Sequence, residues 1–393
     1  LLPDGILHKI VQHALYSPGS SSCKAYNAIK TLFRDLDSGV STEYWHVPQY
    51  HGELFKYNKL VDNINLPDHL NKRRYTFYHT DLTTIYGPWD LGKFDFWRDL
   101  DRDLLGNVFE RSIADIAMLT GDSDLHKSAL AERKELGVYY TAKRLAHFMS
   151  YSAVLKTIEE DINIQNILSA IAESTKWTAI KSNLDSLRSA LKSVKILDFA
   201  CGSGAFLTAA LDVILLTYHK ALEGARFYTN DIEYLTSMAK QSDILQSCIY
   251  GIDLLPQAVE LAKLSLWLTA ARRNEPATDL SQKFVVSDAL SRPMKRNVGL
   301  YTVILGNPPW GSRIDGNELE WISDELDEDV SGLDSWELFM RVAYLFLKPG
   351  GRMALVVPDT IFSAEKARTR GFLLRNFKIE KCYDVGPDWF GND

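Results

Sequence analysis

The stretch KILDFACGSGAFL, Lys195–Leu207, decides the fold. It opens as a short apolar run, turns through Gly202 and Gly204, and enters a helical pattern from Ala205. Glycines remove side chains where a backbone must turn tightly and approach a ligand. Asp198 sets a hydrogen-bond acceptor beside that turn. A strand that passes through such a turn into a helix is the first half of a βαβ unit. The same grammar repeats downstream: CIYGID leads into PQAVELAKLSLWLTAARR, then come FVVSDAL, YTVILGN, the helical run SWELFMRVAYLFL, GRMALVVP, a further helix and IEKCYDVG. The strands are almost continuously apolar, as strands covered on both faces are. The pattern predicts a doubly wound, mostly parallel α/β sheet, whose ligands bind at the carboxyl ends of its strands.

The polar residues at those ends carry the functional information. The glycine turn alone has two readings, a cofactor loop or only a tight strand–helix turn. Its spacing is not GxGxxG, and no GxxxxGK[ST] stretch occurs, which speaks against nicotinamide cofactors and ATP. Asp253, after the second strand, can accept both hydroxyls of a ribose, or can cap the helix before Pro256. Asp288, after the third, can accept from an adenine amino group, or can serve as a turn aspartate. The fourth strand ends in YTVILGNPPWGSR, Tyr301–Arg313. Asn307 is both donor and acceptor; Pro308 lacks an N–H but keeps its carbonyl. Two prolines stiffen the loop, and Trp310 offers a flat face. Together they make a receptor for a planar group bearing NH₂; the alternative is a turn with a core tryptophan.

At 393 residues the chain is long enough for two or more domains. Apolar residues at 46% and charged residues at 24% are ordinary. Apolar runs such as ALDVILLTYH and VAYLFL fall short of the roughly 18 residues a membrane span needs. Cys23, Cys201, Cys248 and Cys382 form no CxxC pair, which points to a reducing, cytoplasmic setting, and no histidine cluster points to a metal. A net charge of −7 argues against a uniformly basic surface, although basic clusters occur at Asn71–Tyr75, Arg292–Arg296 and Glu365–Arg375. Residues 1–125 read as a mainly helical N-terminal domain and 126–393 as the α/β domain, with a helical insertion at about 152–193. The missing initiator Met and the ending WFGND read as a piece of a longer polypeptide.

LDFACGSGAFL, YGIDLLPQAVELAKLSLWL, VSDAL and GNPPW, in this order, resemble the S-adenosylmethionine-dependent DNA N6-adenine methyltransferases. Upstream, ELGVYYTAKRLAHFM (Glu135–Met149) resembles the gamma-class motif, with Ala142 where the family usually has Pro. The resemblance covers about Lys134 to the end. More loosely, WHVPQYHGELF and DLLGNVFERSI look like segments of large single-chain restriction–modification (type IIG-like) or phage-defence enzymes.

The resemblance implies a seven-stranded Rossmann-like methyltransferase sheet and S-adenosyl-L-methionine as cofactor. Tyr139, Tyr140 and Thr141 would pack over its methionine end. Asp198, Ala200, Cys201, Gly202 and Gly204 would line the glycine loop; Asp253, Leu254, Asp288, Ala289 and Asn307 would complete the pocket. Asn307, Pro308, Pro309 and Trp310 would form the catalytic loop, with Trp310 and Phe390 stacking on a flipped base. Double-stranded DNA is the implied partner, along with other restriction or defence subunits or domains. The family's final hairpin and target-recognition domain, and any nuclease, would lie outside this sequence. Two other readings remain: a methyltransferase for another planar amino group, such as RNA guanine or protein glutamine, and a catalytically silent DNA-binding component.

Overall fold

The computed structural model describes residues 24–39, 57, 75–76, 85–86, 143–160, 162–174, 176–226, 229, 231–238, 241–270, 278–311 and 319–386. The chain forms two compact units, Leu1–Val108 with Ala271–Leu280, and Phe109–Ala270 with Ser281–Asp393. In the first, the described residues include helix α1 (Lys24–Ser38) and an antiparallel pair, β1 (Tyr75–Thr76) with β2 (Ile85–Tyr86). The rest of the expected N-terminal helical domain lies outside the described residues.

In the second unit the described residues begin with α2 (Lys143–Ser150), a π-helical turn (Tyr151–Leu155) and α3 (Lys156–Glu160). Then come α4 (Ile164–Glu173), α5 (Trp177–Ser193), β3 (Ile196–Asp198), α6 (Ala205–Arg226), α7 (Ile232–Met238) and α8 (Ser242–Cys248). β4 (Ile249–Asp253), α9 (Pro256–Ala270), β5 (Phe284–Val286) and β6 (Tyr301–Gly306) follow. α10 (Glu320–Leu326), α11 (Ser335–Phe346), β7 (Leu347–Leu355) and α12 (Ala367–Asn376) complete it. The run AVLKTIEEDINIQNILSAIAES reads as one amphipathic helix but is broken, because Asn163 sits in the left-handed region (φ 53°) and starts α4 afresh.

β3 to β7 form one sheet in the order β5-β4-β3-β6-β7, and every pairing is parallel. Five strands are present among the described residues, against the seven implied by the resemblance. IEKCYDVG is one run that forms no strand: residues 379–386 are irregular. Ile379 is exposed, Glu380 pairs with Lys156 (2.8 Å), and Tyr383 lies edge-on against Phe148 (ring centroids 4.9 Å apart), so the segment is tied to α2 and α3 and not to a neighbouring strand. β7 begins earlier than GRMALVVP suggests. It pairs Leu347 with Tyr301, and the register shifts between Tyr301 and Val303.

Both faces of the sheet are covered. Leu197, Ile252 and Ile304 share one buried cluster with Trp321 and Ile322 of α10 and Leu338, Val342 and Phe346 of α11. α6 and α9 pack against β3, β4 and β5 from the other side. α6 is long and apolar enough to cross a membrane, but 67% of that stretch is buried inside the protein, which makes it a core helix. The strand ends align: Asp198 pairs with Gly251 and Leu305, Asp253 with Val286, and Gly306 with Leu355.

α11 is buried along nearly all its length and carries an ion there. Arg341 Nη1 donates to the Glu337 carbonyl (3.2 Å) and to Thr369 Oγ1 (3.2 Å), Nη2 donates to Glu328 Oε1 (3.0 Å), and the guanidinium lies over the Phe372 ring. A buried pair that loses one partner leaves an uncompensated charge. Arg341→Ala is expected to lower unfolding free energy by about 3 kcal/mol, read by urea denaturation. Removing the exposed Lys295–Glu325 pair (2.6 Å) by Lys295→Ala should cost about 0–1 kcal/mol.

Candidate active site

Four adjacent strand ends converge at the carboxyl edge of the sheet. After β3 the backbone turns with positive φ at Gly202 (51°) and Gly204 (87°), and α6 starts one residue later. The Gly204 N–H donates to the Cys201 carbonyl (2.8 Å), and the Gly204 carbonyl accepts from Thr208 N–H (2.8 Å) and its hydroxyl (3.0 Å). A Cβ at Gly204 would stand 3.1 Å from the Ala262 Cα, so only glycine lets α6 start this close to α9.

Asp253 ties the first two loops together. Its Oδ2 accepts from the Gly202 N–H (2.8 Å) and its Oδ1 from the Leu255 N–H (2.9 Å). It therefore shapes the turn that precedes α9 and fastens the glycine turn to it. Two backbone bonds leave a carboxylate with further lone pairs. Burial pushes its pKa up, while the N–H groups of Leu255, Gly202 and Leu254 pull it down, and the net direction is upward. Leu254 beside it is exposed. At the end of β5, Asp288 Oδ1 accepts from the Leu290 N–H (2.9 Å), the expected turn bond. Ser287 N–H donates to the Asp253 carbonyl (2.9 Å), joining the second and third loops. Ala289 is buried.

Asp198 lies at the centre and is fully buried. Its Oδ1 accepts from the Ala200 N–H (3.1 Å) and faces Gly306, where a Cβ would come within 3.0 Å of it. Glycine at 306 thus lets the fourth strand end pass against the first. Beyond it Asn307, Pro309 and Trp310 are half-buried and Pro308 is buried. Two anchors come from α11, which sequence reasoning missed. The Ser335 hydroxyl donates to the Pro309 carbonyl (2.7 Å), and the Gly311 N–H donates to Asp334 Oδ1 (3.0 Å). The third loop has a similar anchor, Trp321 Nε1 of α10 on the Leu290 carbonyl (2.7 Å). DSWE, Asp334–Glu337, has a helix-capping pattern, but the contact of Ser335 with a loop residue 26 positions upstream carries no local signal.

Asp198, Ala200–Gly204, Asp253–Leu254, Asp288–Ala289 and Asn307–Trp310 are therefore on one edge. Tyr139, Tyr140, Thr141 and Phe390 lie outside the described residues. None of these strand-end residues lines the open groove of about 500 Å³ along α5. Asp253 and Asp288 on adjacent strand ends, with backbone glycines beside them and Asp198 buried between the loops, suit a ligand that offers hydrogen-bond donors. They do not suit a phosphate. S-adenosylmethionine, with its ribose diol, adenine amino group, ammonium and sulfonium, fits this donor set.

The basic clusters divide. Lys366 pairs with Glu337, Arg368 with Glu328 (3.1 Å), and Arg370 donates to the carbonyls of Ile361 (2.6 Å) and Ser363, so the Glu365–Arg375 cluster largely serves the fold.

Burial pushes the Asp198 carboxyl up to about 8, against the pull of the Ala200 N–H, with the nearby Asp253 adding to the rise. A folded pKa above the unfolded value near 4 means the fold prefers the protonated acid. The group's contribution is full below about pH 4 and is lost as pH rises through 8. Asp198→Asn keeps the acceptor oxygen and removes the titration. Its Tm advantage over wild type, measured without cofactor, is expected to grow between pH 5 and 8 by roughly several degrees.

Comparison with known proteins places this edge in a family. The sequence profile of the Eco57I restriction-modification methylase matches residues 247–390, and that of the MmeI DNA-methyltransferase domain matches residues 173–296. Together they run over more than half of the chain. The type II restriction enzyme and methyltransferase RM.Eco57I of Escherichia coli is 21% identical over 364 residues, which are 84% of this chain and 34% of that protein. The type I restriction enzyme EcoEI methylase subunit of Escherichia coli is 22% identical over 292 residues, 74% of this chain and 43% of that one. The chain thus spans less than half the length of these relatives. The solved structure of the type IIL restriction-modification enzyme MmeI in complex with DNA shares the fold, with a TM-score of 0.57 and 17% identity over 93% of this chain and 46% of that one. The matched profiles and the relatives are methylases of restriction–modification enzymes, and over these stretches the chain is similar to them.

Proposed function

We propose that this chain is the methylase part of a site-specific DNA adenine-N6 methyltransferase that acts on a flipped adenine in restriction–modification or phage defence. The observation that carries this reading is the Asn307–Trp310 loop. It is held from α11 and sits beside the carboxylate-rich edge of β3, β4 and β5.

The exocyclic nitrogen of adenine is a poor nucleophile because its lone pair is delocalised into the ring. The amide oxygen of Asn307 and the carbonyl of Pro308 would accept its two hydrogens and drive the nitrogen towards a tetrahedral, localised lone pair. S-adenosylmethionine, when bound, supplies an electrophilic methyl group on a sulfonium. Asp253 would accept the ribose hydroxyls and Asp288 the adenine amino group of the cofactor, while the exposed Leu254 covers a face of its adenine. Tyr139, Tyr140 and Thr141 would close the methionine end. This is positioning and electrostatic stabilisation, with no covalent enzyme intermediate.

A base inside a duplex cannot reach such a loop, so it must be extruded at a cost of a few kcal/mol. Stacking on Trp310, with Phe390 as the second ring, would return roughly 1–3 kcal/mol per ring face. Double-stranded DNA is the substrate on this reading. Other subunits or domains of a restriction or defence system would be its partners, in the cytoplasm.

The test is methyl transfer from labelled S-adenosylmethionine to duplex DNA, with the product identified after digestion to nucleosides. N6-methyladenine is expected. Methylated guanine in RNA, methylated glutamine in protein or N4-methylcytosine would replace the proposed substrate, and cofactor binding without transfer to any of them would leave a silent binding component. Asn307→Ala is expected to lower kcat by about 10²–10³, read as methyl transfer at saturating S-adenosylmethionine. Asp253→Ala should abolish cofactor binding, read by calorimetry.

A further inference from the structure

We propose that Asp334 and Ser335 are positioning residues for the Asn307–Trp310 loop: the first turn of α11 fixes the acceptors that face the substrate amino group. This rests on the functional reading above. Consecutive prolines at 308 and 309 bring no N–H of their own, so a loop of this composition must be fixed through its carbonyls and through the next available N–H. Both are taken from one place. The Ser335 hydroxyl donates its one proton to the Pro309 carbonyl (2.7 Å), and Asp334 Oδ1 accepts from the Gly311 N–H (3.0 Å) while lying 3.2 Å from the same hydroxyl oxygen. Trp310 is bracketed by these two bonds. The hydroxyl occupies the Pro309 carbonyl, and the acceptor assigned to the substrate is its neighbour at Pro308. Pro309 therefore belongs to the clamp and not to the reacting group.

The clamp is itself held. The Asp334 N–H donates to Glu337 Oε2 (3.0 Å), and Glu337 in turn receives Lys366 and Thr369 from the segment around α12. Ser335 and Glu337 are buried. A half-buried carboxylate beside a buried hydroxyl, braced from behind by an ion pair, is stiffer than a cap that only ends a helix. Geometric errors of about 1 Å in a reacting group can cost on the order of 100-fold in rate, so the loop's catalytic value depends on this bracing.

The test uses the full chain with Ser335→Ala, Ser335→Thr, Asp334→Ala and Asp334→Asn. Loop fixation is read by amide hydrogen exchange at Gly311 in ¹⁵N-glycine-labelled protein. Function is read as kcat, KM for duplex DNA and cofactor Kd. Asp334→Ala is expected to speed Gly311 exchange at least tenfold, and Asp334→Asn, which keeps the acceptor oxygen, should restore most of the protection. Ser335→Ala is expected to lower kcat at least tenfold with cofactor Kd changed less than threefold, and Ser335→Thr should recover kcat.

A purely structural cap predicts a different pattern: Tm falls in parallel for the alanine variants, while Gly311 exchange and the kcat of the folded fraction stay unchanged. That pattern overturns the proposal. If the wild type transfers no methyl group to DNA, the functional reading fails and the exchange experiment alone decides the clamp: slow exchange in Asp334→Ala overturns it, fast exchange sustains it.

Discussion

A parallel sheet buried on both faces can present polar chemistry only at its ends. Leu197, Ile252 and Ile304 are packed under α10 and α11, and α6 and α9 cover the opposite side. Every side chain that could bind a polar ligand is thereby pushed to the loops beyond Asp198, Asp253, Val286 and Gly306. The alignment of those ends follows from the register, which sets Asp198 opposite Gly251 and Leu305. Glycine at 204 and 306 then lets neighbouring loops approach, and Asp253 fastens the first loop to the second through the Gly202 N–H.

The strands and their terminal acids were readable in the sequence because each signal is local: a buried strand is a short apolar run, and a polar residue at its end has no business in the core. The carboxyl-edge grouping followed from strand alternation alone. What was not readable is long-range. Nothing near Ser335 announces that its hydroxyl reaches Pro309, and nothing near Trp321 announces that its indole N–H reaches Leu290. The run IEKCYDVG misled because its partners are distant in sequence: Tyr383 lies against Phe148 and Glu380 pairs with Lys156. AVLKTIEEDINIQNILSAIAES misled because its apolar period continues across Asn163, which the backbone uses to turn. The cations of Glu365–Arg375 read as solvated surface or as a DNA contact. Most are instead spent on Glu337, Glu328 and backbone carbonyls.

One pattern joins the two long-range anchors. α10 and α11 are consecutive helices on the same face of the sheet, and each hands a polar group to a different loop: Trp321 to the loop after β5, Asp334 and Ser335 to the loop after β6. The loops after β5 and β6 are thus both braced by one short stretch of chain, Glu320–Phe346. Arg341, through Glu328 and Thr369, holds that stretch to the element after β7.

The strand order has a consequence for how the protein is made. β3 is in the middle of the sheet, yet one of its neighbours, β6, begins only at Tyr301. A chain emerging from the ribosome exposes α6 well before the sheet it covers is complete. A helix of that length and apolarity looks to the targeting machinery like a membrane segment. Parallel pairing across such sequence distances is slow, so the nascent chain passes through a period in which its most apolar helix has no finished partner.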